Sequence, residues 1–155
     1  KQHHDTFAHH PDARVRSALS FERAGCIGFV LLANAKPAAF LHFADVSKYE
    51  NASIWPLADN EAALVNVITL PEHRSRHYAS LLIAHATASL VPSSYQRAIA
   101  YVWWNHGASL RAFKKAGWRR IGISVEISRR NGRLYSIHIP LRAGCYAKGS
   151  WAVWY

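Results

Sequence analysis

A chain of 155 residues is about the length of one domain, and with 50% of its residues apolar or aromatic it can bury an ordinary globular core. The formal net charge of +10 favours an anionic partner, which leaves nucleic acid, acidic lipid and a phosphorylated cofactor in play. No run approaches the roughly 18 to 20 uninterrupted apolar residues that span a bilayer, and Cys26 and Cys145 are too few for a disulfide framework. With an opening stretch that lacks a charged-then-apolar leader, these features predict one soluble cytoplasmic domain over residues 1–155, monomeric or homodimeric, with both cysteines as buried free thiols. The sequence holds no methionine, not even at position 1, so a strand preceding Lys1 is expected to be missing from it.

Residues 1–11 are mostly polar and carry His3, His4, His9 and His10, whose spacing matches no metal motif; a loosely ordered lead-in without a metal is expected. Asp12 to Arg23 places Val15, Ala18 and Leu19 among charged residues at helical intervals, which predicts a surface helix. Two apolar runs, Cys26 to Ala33 and Ala38 to Ala44, flank the turn residues Asn34 to Pro37 and predict a hairpin. Asp45 to Asn60 is a long irregular segment with Pro56, Tyr49, Ile54 and Trp55, of a length usually kept for function. Glu61 to Leu70 is a β-rich run ended by Pro71, and Arg76 to Leu90 aligns Tyr78, Leu82, Ala86 and Leu90 on one helix face. Arg97 to Trp104 predicts a further strand and core position for its tryptophans, Ala108 to Lys115 a short helix closed by Gly117, and Trp118 to Arg129 a hairpin with Arg133 to Leu141 across Asn131-Gly132. The order predicts an α/β (α+β) fold, a mixed sheet flanked by helices.

Chemistry concentrates in one stretch, Val67-Ile68-Thr69-Leu70-Pro71-Glu72-His73-Arg74-Ser75-Arg76-His77-Tyr78-Ala79-Ser80-Leu81-Leu82. A strand enters a tight basic turn and opens a helix, so free backbone N–H groups and the positive end of the helix dipole are available to a pyrophosphate. Arg74 and Arg76 add charge, while Ser75, Ala79 and Ser80 are small enough to let a ligand reach the backbone.

This stretch resembles the acetyl-CoA motif of the GNAT acetyltransferase superfamily, with Arg74, His77 and Ala79 at the positions of its Arg or Gln, Gly, and Gly or Ala. His77 departs from the usual glycine. A second stretch, Asn105-His106-Gly107-Ala108-Ser109-Leu110-Arg111-Ala112-Phe113-Lys114-Lys115-Ala116-Gly117-Trp118, is similar to the same superfamily's Asn, Ser, aromatic, Lys, Gly, aromatic signature. The resemblance covers about residues 25 to 140 and implies a mixed, mostly antiparallel sheet, acetyl-CoA as co-substrate, and transfer of an acyl group to a primary amine. It implies cofactor contacts from Val67, Ile68, Thr69, Arg74, Ser75, Arg76, His77, Tyr78 and Ala79, and from Asn105 and Ser109 beside the pantetheine arm. Asn105 lies one residue farther from Ser109 than in the commonest spacing, which lets His106 stand in its place.

The family's direct attack on the thioester needs a carbonyl-polarising N–H, expected on the Val67 to Thr69 backbone, and a proton donor for the departing thiolate. The tyrosine usual four residues before the second motif's glycine is Phe113 here, so water, Ser109 or Tyr101 is expected to replace it. Glu61 is the candidate base and Asn66 a candidate to orient a water. Two alternatives stay open: a non-catalytic acyl-CoA-binding protein, and a nucleic-acid module. The latter is suggested by Arg111, Lys114, Lys115, Arg119, Arg120, Arg129, Arg130 and Arg133 near Trp103, Trp104 and Trp118, though no nucleic-acid signature is visible. The acceptor is left unidentified; residues 45–60 and the aromatic residues Tyr146, Trp151, Trp154 and Tyr155 are expected to shape its pocket.

Overall fold

A computed structural model of the protein describes residues 8–49, 56–128, 134–140 and 151–154. Two short helical turns, α1 (Ala13–Arg16) and α2 (Ala18–Arg23), precede the hairpin of β1 (Ile27–Ala33) and β2 (Lys36–Ala44). Asn34 and Ala35 join these strands with φ of 51° and 60°, the left-handed pair that lets a two-residue turn follow the twist of a hairpin. Then come β3 (Glu61–Thr69), a 3₁₀ turn (Pro71–His73), α3 (Tyr78–Ser94), β4 (Arg97–Val102), α4 (Gly107–Lys115), β5 (Arg119–Ser128), β6 (Leu134–Pro140) and β7 (Trp151–Trp154).

The strands form one sheet in the order β1-β2-β3-β4-β7-β5-β6. It is mixed and mostly antiparallel: the β1–β2, β2–β3 and β5–β6 ladders are the long ones, and the parallel β3–β4, β4–β7 and β5–β7 ladders are short. β2 is buried from Pro37 to Ala44 because both of its faces are covered. Ala39, Leu41 and Phe43 pack with Leu82, Ile83, Ala86 and Leu90 of α3 and Phe113 of α4. Phe40 on the opposite face meets Val15, Ala18 and Leu19 of the amino-terminal helices. The expected helix face of Leu82, Ala86 and Leu90 is therefore the one that faces the core.

What positions the site is a fork in this sheet. β3 pairs with β4 only from Glu61 to Leu64, opposite Arg97 to Ala100, yet it continues to Thr69 and stays bonded to β2 there. A bulge lies where the fork begins: His42 pairs with Asn66 and Phe43 with Leu64, so Val65 is the extra residue. A bulge increases local twist and bends its strand, and here it turns the second half of β3 away from β4.

Several sequence expectations shift in detail. The single helix over Asp12–Arg23 divides at Ser17, and β4 ends at Val102 rather than Trp104. Trp103 and Trp104 therefore do not enter the core; they are 47% and 71% exposed in the turn that follows, while Trp118 is buried against Phe113. β7 was not anticipated: Trp151–Trp154 inserts between β4 and β5, parallel to both. Cys26 is half-buried and takes part in no disulfide. Cys145, His3, His4, Ile54, Trp55, the Asn131-Gly132 turn, Tyr146 and Tyr155 lie outside the described residues. Among the described residues no helix is long and apolar enough to cross a membrane, and no group of three metal-ligating side chains occurs.

Candidate active site

The open half of β3 forms one wall of a cleft of about 690 Å³, within the range of small-ligand sites. Val67, Ile68 and Thr69 line it from β3, the turn and helix start contribute His73 through Ser80, and α4 supplies Ala108, Ser109, Arg111, Ala112, Phe113 and Lys115. Two segments that are remote in sequence thus meet across one space, as the two motifs require.

The helix start is shaped for an anion. Ser75 and His77 both have φ of 62°, and His77 caps α3 without a side-chain hydrogen bond to its N–H groups. The first N–H groups of a helix have no intrahelical partner, and alternating left-handed residues gather backbone N–H groups into a concave nest. Ser80 Oγ donates to the His77 carbonyl oxygen at 2.8 Å and steadies this conformation. The usual glycine at position 77 now has a physical reason: the backbone there is left-handed, a conformation that glycine takes freely and that histidine takes more readily than most residues.

Four cationic side chains, Arg74, Arg76, Arg111 and Lys115, line the cleft, and no carboxylate is among the lining residues. Arg74 also ties the turn to its surroundings, with Nε donating to the Thr69 carbonyl oxygen at 3.5 Å and Nη2 lying 3.9 Å from the Asp12 carboxylate. Lys115 reaches back from α4 to within 3.2 Å of His77 Nδ1. Phosphate groups fit this excess of positive charge and donors, and the cleft's size suits the chain of a nucleotide thioester.

The family model for the acetyltransferase (GNAT) family matches residues 2–118, which contain the fork, the nest and α4. The chain belongs to the GNAT acetyltransferase family. Among solved structures it is similar to the ribosomal-protein-S18-alanine N-acetyltransferase from Escherichia coli, at 18% identity and a TM-score of 0.51, over 93% of this chain and 87% of that one. An N-acetyltransferase from Staphylococcus aureus Mu50 has 20% identity and a TM-score of 0.48, with 86% and 83% of the two chains covered. At 18% identity the likeness to the Escherichia coli enzyme speaks for the fold alone. No curated protein matches the sequence significantly.

For this GNAT acetyltransferase, the residues singled out in the sequence divide into two sets. Val67 to Thr69, Arg74 to Ala79 and Ser109 share the cleft, whereas Asn105, His106, Tyr101 and Asn66 are not among its lining residues. Glu61 is also outside it. Its carboxylate is buried, ion-paired with Arg97 across the β3–β4 ladder, and accepts the Ala58 N–H at 3.0 Å. Phe113 lines the cleft with its ring edge-on to Trp118 at 4.8 Å, and offers no proton.

Sequence reasoning passed over two side chains that the fold makes conspicuous. Lys115 stands in the second motif and in the basic run with no role of its own, because its contact with His77 spans 38 residues. His42 was hidden in an apolar run; it is 2% exposed, stacked on Phe21 at 5.6 Å, with Nδ1 3.4 Å from Asn66 Nδ2. Burial pushes its pKa below the ordinary histidine value, against a smaller upward pull from Glu22.

Proposed function

We propose that this protein transfers the acetyl group of acetyl-CoA to a primary amine by direct attack, in a cytoplasmic setting. The observation that carries this is the fork at Val65, which frees one edge of β3 and opens it onto the cationic cleft. The N–H groups of Ser75 to Ala79 with Arg74 and Arg76 hold the pyrophosphate, and Val67 to Thr69 and Ser109 flank the pantetheine arm and thioester. An N–H on the free edge of β3 polarises the thioester carbonyl as negative charge develops on its oxygen. The amine nitrogen forms the new C–N bond, the C–S bond breaks, the sulfur leaves as thiolate, and the amine gives up its proton. Holding the two reactants together supplies most of the acceleration. With Phe113 at the usual tyrosine, Ser109 or a water passes the proton to sulfur.

A thermal-shift series with CoA, acetyl-CoA and longer acyl-CoAs tests the donor, because a ligand that binds the native state raises apparent stability by mass action. The expected result is a clear stabilisation by CoA and acetyl-CoA; none would sink the reading. Thiol release with a panel of amines then tests transfer. Phe113→Tyr restores a hydroxyl whose pKa of about 10 suits a thiolate, and should raise kcat by about tenfold, below the full factor of general acid catalysis, with little change in the KM for acetyl-CoA. CoA binding without turnover by either protein would assign the fold a binding role instead.

A further inference from the structure

The cleft holds more positive charge than a pyrophosphate diester can neutralise. Such a diester brings about two negative charges, which the nest with Arg74 and Arg76 already meets. Arg111 and Lys115 add two more cations from α4, one helical turn apart on the same face, where like charges repel. No ion pair involving either of them is found among the described residues, and no carboxylate lines the cleft. Lys115 Nζ lies 3.2 Å from His77 Nδ1. An ammonium has donors only, so Nδ1 accepts, the imidazole hydrogen sits on Nε2, and both side chains keep N–H groups to offer. His77 holds its place in a left-handed turn, pinned by Ser80, at the position where the family's motif has glycine.

We propose that His77 and Lys115, with Arg111 beside them, form a second anion subsite that receives the phosphomonoester on the ribose of CoA. The inference rests on the acetyl-CoA reading and adds a selectivity to it. A phosphomonoester carries about 1.5 to 2 negative charges near neutral pH, which matches the surplus on α4. Lys115 is the charge of the subsite, and His77 is the positioning residue that brings the ammonium to the edge of the nest.

Calorimetric titration with CoA, dephospho-CoA and 3′,5′-ADP tests this. Wild-type protein should bind CoA about tenfold or more tightly than dephospho-CoA, the scale of one charge-assisted hydrogen bond, and should bind 3′,5′-ADP measurably. Lys115→Gln should erase most of that ratio by weakening CoA alone, and His77→Gly should reduce it partway. The neighbouring Lys114 is exposed and does not line the cleft, so Lys114→Gln should leave the ratio intact despite the same loss of charge. If wild type binds both cofactors equally, or Lys115→Gln weakens both equally, the subsite is refuted while the acetyl-CoA reading stands. If wild type binds none of the three, that reading falls and the subsite with it.

Discussion

The two halves of β3 show how one apolar strand serves opposite ends. From Glu61 to Leu64 it pairs with β4, joined by β2 on its other edge from Ala63 on, and every side chain is buried; from Val65 to Thr69 it keeps only β2, is half-buried, and from Val67 on lines the cleft. The amino acids barely differ, with Ala62, Ala63 and Leu64 in the closed half and Val65, Val67 and Ile68 in the open half. What differs is whether β4 is alongside. Backbone N–H groups spent on a ladder hold the fold together, and the same groups left free by a bulge can act on a ligand.

The sharpest way to break this comparison is to destroy the open half's electrostatics while leaving the closed half alone. Arg74→Glu combined with Arg76→Glu replaces two cations by two anions at the nest. Each lost charge-assisted contact is worth about 1.5–3 kcal/mol, so CoA affinity should fall by about a hundredfold or more. Both side chains are exposed, so the urea midpoint should move little, Arg74 giving up only a loose contact with Asp12. Unchanged affinity by calorimetry would put the phosphates elsewhere.

The converse substitution targets the closed half. Glu61→Gln keeps an acceptor for the Ala58 N–H but leaves Arg97 without its carboxylate. The Arg97 side chain is 34% exposed and regains water, so we expect an unfolding free energy lower by about 1–3 kcal/mol, with CoA affinity and kcat near wild type. A kcat reduced by about 10²-fold or more with unchanged stability would return Glu61 to the role of base.

These two residues also mark what the sequence discloses. The nest was legible because its parts are contiguous: a strand, a proline, a basic turn and a helix face follow one another within residues 67–82. The first hairpin was legible from Asn34 for the same local reason, and the second from its β-rich runs. Glu61 reads as a candidate base in the sequence because its partner Arg97 is set by parallel register 36 residues away. β7 went unseen because a four-residue run with a tryptophan at each end is too short to bear a period, and its parallel neighbours are set by topology rather than by local pattern. Trp103 and Trp104 were misplaced because an apolar run does not say where its ladder stops.

His42 sits at the junction of the two halves, paired in register with Asn66 just before the bulge, and it gives the subtlest test of the comparison. Its ring is enclosed by Phe21 and Phe40, and a Cβ on Gly28 would stand 3.3 Å from it, so there is little room for water around a charged imidazole. Burial lowers its folded-state pKa, and Glu22, the charged group acting on it, offsets only part of that. The sign follows directly. Above the unfolded value of about 6.5 both states are neutral at this site and it contributes no pH dependence. As pH falls below that value the unfolded chain takes up a proton that the folded chain refuses, so stability declines until the lower folded pKa is reached. For one proton the slope cannot exceed about 1.4 kcal/mol per pH unit. Unfolding free energies of wild type and His42→Gln, measured from pH 7.5 to 5, should therefore diverge in slope below about pH 6.5, the variant being flatter, whatever the other histidines contribute to both. If the hinge matters to the open half, the same acid shift should also loosen CoA binding in wild type more than in the variant. Parallel stability curves would mean that His42 is charged within the fold, and that the junction is wetter than its packing indicates.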